Sequence, residues 1–327
     1  MLTRRGILAA GAAGLATPAL AQSTGPYPNR AIRMLVPYAA GGGQDISARL
    51  LAEPLRAALG QPVVVENRTG ASGMIAAQAL AQAPADGYTL MLGGAGETSI
   101  NQHLFRGRMA YDPIRDLRPV MVVVKVPNVV MVNPRAPFST VAELVAYAKA
   151  NPGRLSYSSS GIGNPQHLAG ELLNHMAGIQ TLHVPYRGSG QAVLDIAAGQ
   201  VQFGYNSLAS GLALIREGNI RAMAVTSRER MPQLPDAPCV SEYPPLAAYE
   251  LVNFFGVFAP AATPEPIMQR LHDAVANAVR EPELRGRFEG LGLLVQSMTL
   301  AQSRDFVTDE AEKFGRIVDE AKITAES

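Results

Sequence analysis

Cysteine is nearly absent: Cys239 stands alone among 327 residues. A single thiol excludes an internal disulfide and any metal site built from several cysteines. Charge is also scarce, at 17% Asp, Glu, Lys and Arg against 47% apolar residues. That balance fits a packed globular protein and excludes a disordered one. Neither sign dominates: the formal net charge is +1, and removal of Arg4 and Arg5 with a leader brings it to −1. Such neutrality argues against nucleic acid or an anionic membrane as the main partner. Beyond residue 21 no stretch approaches ~18 uninterrupted apolar residues, so no membrane-spanning helix is expected there.

Signatures of catalysis are missing too. There is no G-x-S-x-G elbow, and the two main glycine-rich loops fit neither G-x-x-x-x-G-K-[ST] nor G-x-G-x-x-G. The five histidines are scattered. His167 and His175 lack a nearby acid pair at metal-ligand spacing. Cys239 lies in a proline-rich connection without a recognisable base, as inert thiols do. The chain therefore reads as a protein without enzymatic activity, cofactor or metal.

What is present begins with MLTRRGILAAGAAGLATPALA. Arg4 and Arg5 precede an apolar run too short to cross ~30 Å of hydrocarbon, and Ala19 and Ala21 mark a cleavage point before Gln22. This predicts a secretory signal, removed after Ala21. The paired arginines resemble a twin-arginine export signal; an ordinary Sec signal carrying two arginines is the alternative, and the loose match over residues 3–8 leaves both open. Either way the mature chain, roughly 300 residues, is expected to work in the periplasm and is long enough for two domains.

Strand-like and helix-like patterns alternate, which predicts an α/β fold with mostly parallel sheets. In the first series, strands fall at 32–36, 63–65 and 88–92 and helices at 45–59 and 72–83. Ile46, Leu50, Leu51, Leu55 and Leu59 share one face of the first helix, a kink is expected at Pro54, and Gly60 stops it. A β-rich stretch at 120–132 ends at a break over 133–137. The second series has helices at 139–151, 165–176 and 191–198, and strands at 155–158, 181–184, 201–205 and 220–226. A proline-rich surface connection follows at 231–245. A strand at 254–258 returns the chain to the first domain, and helices at 266–279 and 300–321 close it. The expected division is 22–130 plus 251–327 for domain 1 and 131–250 for domain 2. Two crossings, near 130–134 and 250–260, make a hinge, and the cleft between rocking lobes suits a small ligand.

Two glycine-rich loops stand in matching places, each after a strand and before a helix: VPYAAGGGQD (36–45) and SSSGIGNPQH (158–167). Glycine lets backbone approach a ligand, and a helix N-terminus exposes unpaired N–H groups with about half a positive charge. Two such ends facing across a cleft hold an anion without lysine or arginine, and a carboxylate accepts several such bonds. Each loop alone also reads as a tight turn. Their pairing, at the strand ends where α/β sheets collect ligands, favours a site. The candidates are Tyr38, Ala39, Ala40, Gly41, Gly42 and Gly43 in the first loop and Ser159, Ser160, Gly161, Gly163 and Asn164 in the second. Gly94 and Ala95, after the third strand, could also line the cleft. Asp45 reads as a helix cap or as a partner for a ligand hydroxyl or amine, and the cap is favoured. The His167 ring either reaches the cleft or packs against Leu155 and Ser156. Asn164 either donates to a ligand or makes a local turn bond. Asn206, just past a strand, is a better cleft candidate than most polar residues. Arg187, after Tyr186, is a second anchor or a solvated charge.

Together these segments resemble the periplasmic solute-binding proteins of tripartite tricarboxylate transporters, the Bug or TctC-like family. The resemblance rests on YPNRAIRMLVPYAAGGGQDISARLLAEPL, LGQPVVVENRTGASG, ADGYTLML, AELVAYAKANPGRLSYSSSGIGNPQHLAGELL, HVPYRG, AAGQVQF, IRAMAVTSRER, LPDAPCVSE and FAPAATPEPI, and it covers essentially the whole mature chain. It implies a two-lobed, type II periplasmic-binding fold, two Rossmann-like domains on a two-crossing hinge, that closes on a small carboxylate. It also implies that residues 38–43 and 159–164 hold that carboxylate, mostly through backbone amides and water. The implied partners are a small organic acid and the permease subunits of the transporter, with the binding protein itself a monomer. Two other roles fit the resemblance less closely: a ligand-sensing partner of a membrane receptor kinase, and an exported enzyme acting on a carboxylate. Relatives often carry an aromatic pair with tryptophan where Phe254 and Phe255 stand, and aspartate where Asn206 stands; this chain has no tryptophan. An amide at 206 removes a negative charge from the cleft wall, which favours a second carboxylate or a hydroxyl over an amine in the distal pocket.

Overall fold

The computed structural model describes residues 26–325; the expected export signal lies outside them. The first half contains β1 (Ile32–Val36), α1 (Gly43–Leu59), β2 (Val63–Asn67), α2 (Met74–Ala81) and β3 (Thr89–Gly94). The IRMLV run of β1 is apolar on both faces except at Arg33, as a central strand requires. Ile32, Met34 and Val36 pack with Ala48, Leu51, Leu55 and Leu59 of α1, while Leu35 packs with Ala76, Ala77 and Leu80 of α2. Burying each such large side chain contributes roughly 1.5–3 kcal/mol. α1 begins at Gly43, two residues before the predicted start, and continues as one helix through Pro54. Its packing against the sheet outweighs the single backbone bond that proline removes. Gly60 ends it in the left-handed conformation, φ 68°, as predicted.

A π-helical turn at Gly96–Ile100 leads through α3 (Asn101–Leu104) and α4 (Pro113–Asp116) into β4 (Leu117–Val132). The second half follows: α5 (Val141–Ala150), β5 (Ser156–Ser159), α6 (Pro165–Ala177), β6 (Leu182–Pro185), α7 (Ser189–Ala198), β7 (Phe203–Ser207), α8 (Leu208–Arg216) and β8 (Arg221–Val225). β9 (Val252–Pro260) returns to the first half, which α9 (Glu265–Arg280), α10 (Pro282–Gly290), β10 (Leu294–Val295) and α11 (Leu300–Glu320) complete.

The ten strands among the described residues form one curled sheet whose two halves share β4. The path runs β2-β1-β3-β9-β4-β7-β5-β6, with β10 and β8 added on β4. The sheet is mixed, which corrects the expectation of mostly parallel strands. β1 pairs parallel with β2 and β3, and β5 with β6 and β7. β4 carries the chain out of the first half and β9 brings it back, so these two run antiparallel to each other. Up to Pro127, paired with Val252, β4 belongs to the first half; from Asn128, paired with Ser207, it belongs to the second. Thr226 laces this changeover, accepting from Asn128 N at 3.0 Å and donating to Leu251 O at 2.5 Å.

Candidate functional site

The carboxyl ends of β1, β3, β5, β6 and β7 lead into one narrow cleft between the halves. Tyr38, Gly42, Gly43 and Gln44 line it from the β1–α1 junction, and Gly94, Ala95, Gly96 and Glu97 from the end of β3. β9 adds Asn253 and Phe255. The opposite wall is Ser160, Asn164, Pro165 and Gln166 from the β5–α6 junction, Ser189 from the start of α7 and Ser207 at the head of α8. The helical starts at Gly43, Gly96, Pro165, Ser189 and Leu208 therefore all lie in or against the cleft. α1, α7 and α8 begin without a capping side chain, so their first N–H groups keep the electropositive character of a bare helix end. No lysine, arginine or histidine lines the cleft among the described residues.

The predicted loop residues divide by role. Tyr38, Gly42, Gly43, Gly94, Ala95, Ser160 and Asn164 reach the cleft. Ala39, Ala40 and Gly41 run along its rim, where Ala39 N donates to Arg187 O at 3.4 Å across the two halves. Gly161 lies outside the cleft proper, in an adjoining basin that Tyr186, Arg187 and residues 69–73 also line. Asn164 acts as the predicted local bond: its Oδ1 caps α6 by accepting from His167 N at 3.0 Å, and its Nδ2 donates to Ser160 Oγ at 2.7 Å. Ser159 Oγ accepts from Gly161 N at 3.1 Å and lies 2.7 Å from His183 Nε2, holding the loop from behind.

Asp45, Gly163 and His167 do not line the cleft. The Asp45 carboxylate accepts from Gly41 N at 3.0 Å and Asn67 Nδ2 at 2.9 Å and pairs with Arg49 at 2.9 Å. It braces the loop, whereas the helix cap itself is Gly42. Burial would raise this carboxyl, yet the bonds from Arg49, Gly41 and Asn67 hold it below its ordinary value. His167 is fully buried, accepts from Gly163 N at 3.2 Å and stacks on His183 with ring centroids 4.1 Å apart. Its partner is thus β6, not Leu155 or Ser156. Gly163, at φ 73°, sits against Asn101 and Phe105 of the first half, with no room for a side chain. Asn206 stands opposite Val129 in the sheet, fully buried, and neither polar atom of its amide has a hydrogen-bond partner.

Glu97 escaped the sequence reading. It is fully buried, and its Oε1 accepts from Gly94 N at 2.5 Å and Gln44 Nε2 at 3.1 Å. Desolvation pushes its carboxyl up to about 7 against those stabilising bonds. Gln44, Ser189, Ser207 and Asn253 were missed as well. Gln44 stood inside the first glycine-rich loop without being singled out; Ser189, Ser207 and Asn253 lie outside both loops, and only topology brings them to the cleft. Of the aromatic pair, Phe255 lines the cleft, whereas Phe254 packs on Phe306 at 5.3 Å. Cys239 is buried, and desolvation raises its thiol further.

Two sheet halves hinged on β4 and β9, with bare helix ends facing across one cleft, define a bilobal ligand-binding protein of the periplasmic-binding class. Comparison with known proteins narrows this. The profile of the "Tripartite tricarboxylate transporter family receptor" matches residues 47–323, and the chain belongs to that family. Protein BugT of Bordetella pertussis is 35% identical over 310 residues, 94% of this chain and 93% of that protein. Among solved structures, an R. palustris protein with adipate superposes with a TM-score of 0.88 at 34% identity, covering 91% of this chain and 99% of the other. MatC from Rhodopseudomonas palustris with bound malate gives 0.85 at 31% identity, covering 89% and 100%. Among the described residues no helix is long and apolar enough to cross a membrane.

Proposed function

We propose that this chain is a periplasmic solute-binding protein that captures a small carboxylate between its lobes and delivers it to the permease subunits of a tripartite tricarboxylate transporter. The observation that carries the reading is the convergence of uncapped helix starts from both halves, α1 from one and α7 and α8 from the other, on a cleft that no basic side chain lines. Backbone N–H groups and helix dipoles then supply the countercharge. The adipate and malate in the two structural relatives support the same ligand class. The proposed division is residues 22–130 plus 251–327 and residues 131–250, and the hinge lies close to it, at the changeover of β4 at 127–128 and the return near 250–252. Ligand bound to both loops shifts the population from open to closed lobes. The protein acts as a monomer and performs no chemistry on its ligand.

The test is a thermal-shift and calorimetric screen of protein unfolded and refolded to remove any carried ligand, against mono-, di- and tricarboxylates including adipate and malate. A ligand at ~100 times its dissociation constant adds ~2.7 kcal/mol of stability. Failure of every carboxylate to bind refutes the reading. Selectivity has its own handle in Asn206. A buried amide with unmet donor and acceptor costs about 1–3 kcal/mol; Asn206 lies behind the cleft wall beside Ser207, which lines it, and a charge placed there acts on a ligand through space. Asn206→Asp is expected to reverse the ranking of a dicarboxylate and its amino-acid analogue; an unchanged ranking rejects this role.

A further inference from the structure

A carboxyl group already occupies the proposed anion site. Glu97 lines the cleft from the first half while fully buried. Its bonding partners are Gly94 N, its own backbone, Gln44 and Tyr38, none of them a cation. Two carboxylates in one desolvated cleft repel each other strongly, and such pairs settle by sharing a proton.

The surroundings accept that proton without rearrangement. The Tyr38 hydroxyl lies 3.4 Å from Glu97 Oε2 and 3.4 Å from Ser72 O. With Glu97 ionised, Tyr38 donates to Oε2. With Glu97 protonated, Tyr38 turns to the Ser72 carbonyl, and the acid O–H is free to donate to Tyr38 or to a ligand oxygen. Ser72 O is held in place by Asn101 Nδ2 at 2.9 Å. In both states Oε1 keeps its two donors.

The neighbouring titratable groups leave Glu97 as the proton acceptor. Tyr38, and Tyr111 whose hydroxyl donates to Glu97 O at 2.6 Å, are kept protonated, first by burial and then by the Glu97 charge. On α1, Asp45 is tied to Arg49 and Asn67. On α3, the His103 ring is engaged with Ala311 O of α11 at 2.9 Å, and burial lowers its basicity. On α11, Glu310 pairs with Lys313 at 3.4 Å. Across the cleft, α6 offers His167, stacked on His183 behind the second loop.

We propose that capture is proton-coupled: an anionic ligand enters with one proton from solvent, which Glu97 takes up, so that the ligand carboxylate meets an acid O–H in place of a second negative charge. This rests on the carboxylate reading of the site. The Glu97 carboxyl, poised at about 7 before a ligand arrives, is driven higher by the ligand charge. Affinity for a carboxylate is therefore flat on the acid side and falls up to tenfold per pH unit on the alkaline side. A ligand presenting an ammonium group to Glu97 follows the opposite trend.

The experiment is calorimetric titration of the refolded protein with malate and with adipate from about pH 6.5 to about pH 9, in buffers of different ionisation enthalpy. The expected result is uptake of close to one proton per ligand at the alkaline end and affinity at least tenfold weaker there. Glu97→Gln, which keeps the Oε1 acceptor, is expected to bind with no proton uptake and a flat profile. Difference infrared spectra of the unmutated protein supply a readout that needs no variant: a protonated-carboxyl band should appear on ligand addition at alkaline pH. Affinity independent of pH, absence of proton uptake, or the same slope in Glu97→Gln overturns the proposal. Carboxylate binding without proton linkage removes only the role of Glu97, whereas no carboxylate binding at any pH overturns the ligand class and this inference with it.

Discussion

Gly43 allows lobe closure to be tested with one methyl group. It is the first residue of α1, and a Cβ built on it would lie 2.5 Å from Ser207 Oγ and 3.3 Å from Ser207 Cβ, across the cleft, and 3.5 Å from Phe255 on its own side. Comfortable contacts begin at ~3.5 Å. Gly43→Ala therefore forces the second half outward by up to an ångström, or turns the Ser207 hydroxyl away from Ser210 Oγ, its neighbour at 2.9 Å. Overpacking of this kind costs about 1–3 kcal/mol, and under the proposed hinge motion it falls on the arrangement in which Gly43 meets Ser207. The first half is not weakened, because alanine is the better helix former by up to ~1 kcal/mol. Ligand affinity should drop about 5- to 150-fold, with the thermal stability of the ligand-free protein unchanged or slightly higher. Calorimetry gives the affinity, and small-angle scattering at saturating ligand reports the opening. Ser207→Gly in the same chain removes both clashing atoms and should restore most of the loss, read as a double-mutant cycle. Full affinity in Gly43→Ala, or no rescue by Ser207→Gly, would refute the idea that these two residues meet on closure.

Gly161 holds φ 140°, and a Cβ there would lie 3.3 Å from Tyr186 O; Gly161→Val should weaken ligand binding at least tenfold by deforming the second loop, measured by calorimetry, with near-normal circular dichroism. Asp45→Ala removes the brace on the first loop and should cost about 1–3 kcal/mol in urea unfolding at neutral pH. Because the folded carboxyl is held below its ordinary value, that contribution is present above pH ~4 and is lost as pH falls through the folded value, so the gap between variant and parent should close in acid. Glu97 works in the opposite sense. Its folded value of about 7 lies above the ordinary 4.5, so its contribution is complete below pH ~4.5 and is lost as pH rises through ~7, a fall on the order of 3 kcal/mol. Glu97→Gln should abolish that fall when urea midpoints are compared across the range.

The two glycine-rich loops were legible because glycine before a helix start is a local signal, and the structure brings Gly42, Gly43 and Asn164 to one cleft. The strand at 32–36 was legible because its short run is apolar except at Arg33. What escaped depends on distant partners. Ser189, Ser207 and Asn253 are ordinary polar residues until β4 and β9 fold the halves together. The direction of β9 and β4 cannot be read from apolar alternation, so the sheet looked parallel. α8, LASGLALIR, was missed because it follows β7 without a break and carries Gly211 inside it; α10, PELRGRFEG, holds two glycines and too little apolar surface for a clear stripe. Asp45 showed its acidic character but not its partners, since Asn67 comes from a neighbouring strand.

The position of β9 fixes an order of assembly. β3 and β4 are joined only through β9, which lies between them. A growing chain cannot complete its first sheet until residues 252–260 have been made, by which time every strand and helix of the nested second half has already been synthesised. The second half can therefore reach its native pairing first and serve as the template on which the chain ends are drawn together. The slow, long-range step is then insertion of a single strand into a waiting gap.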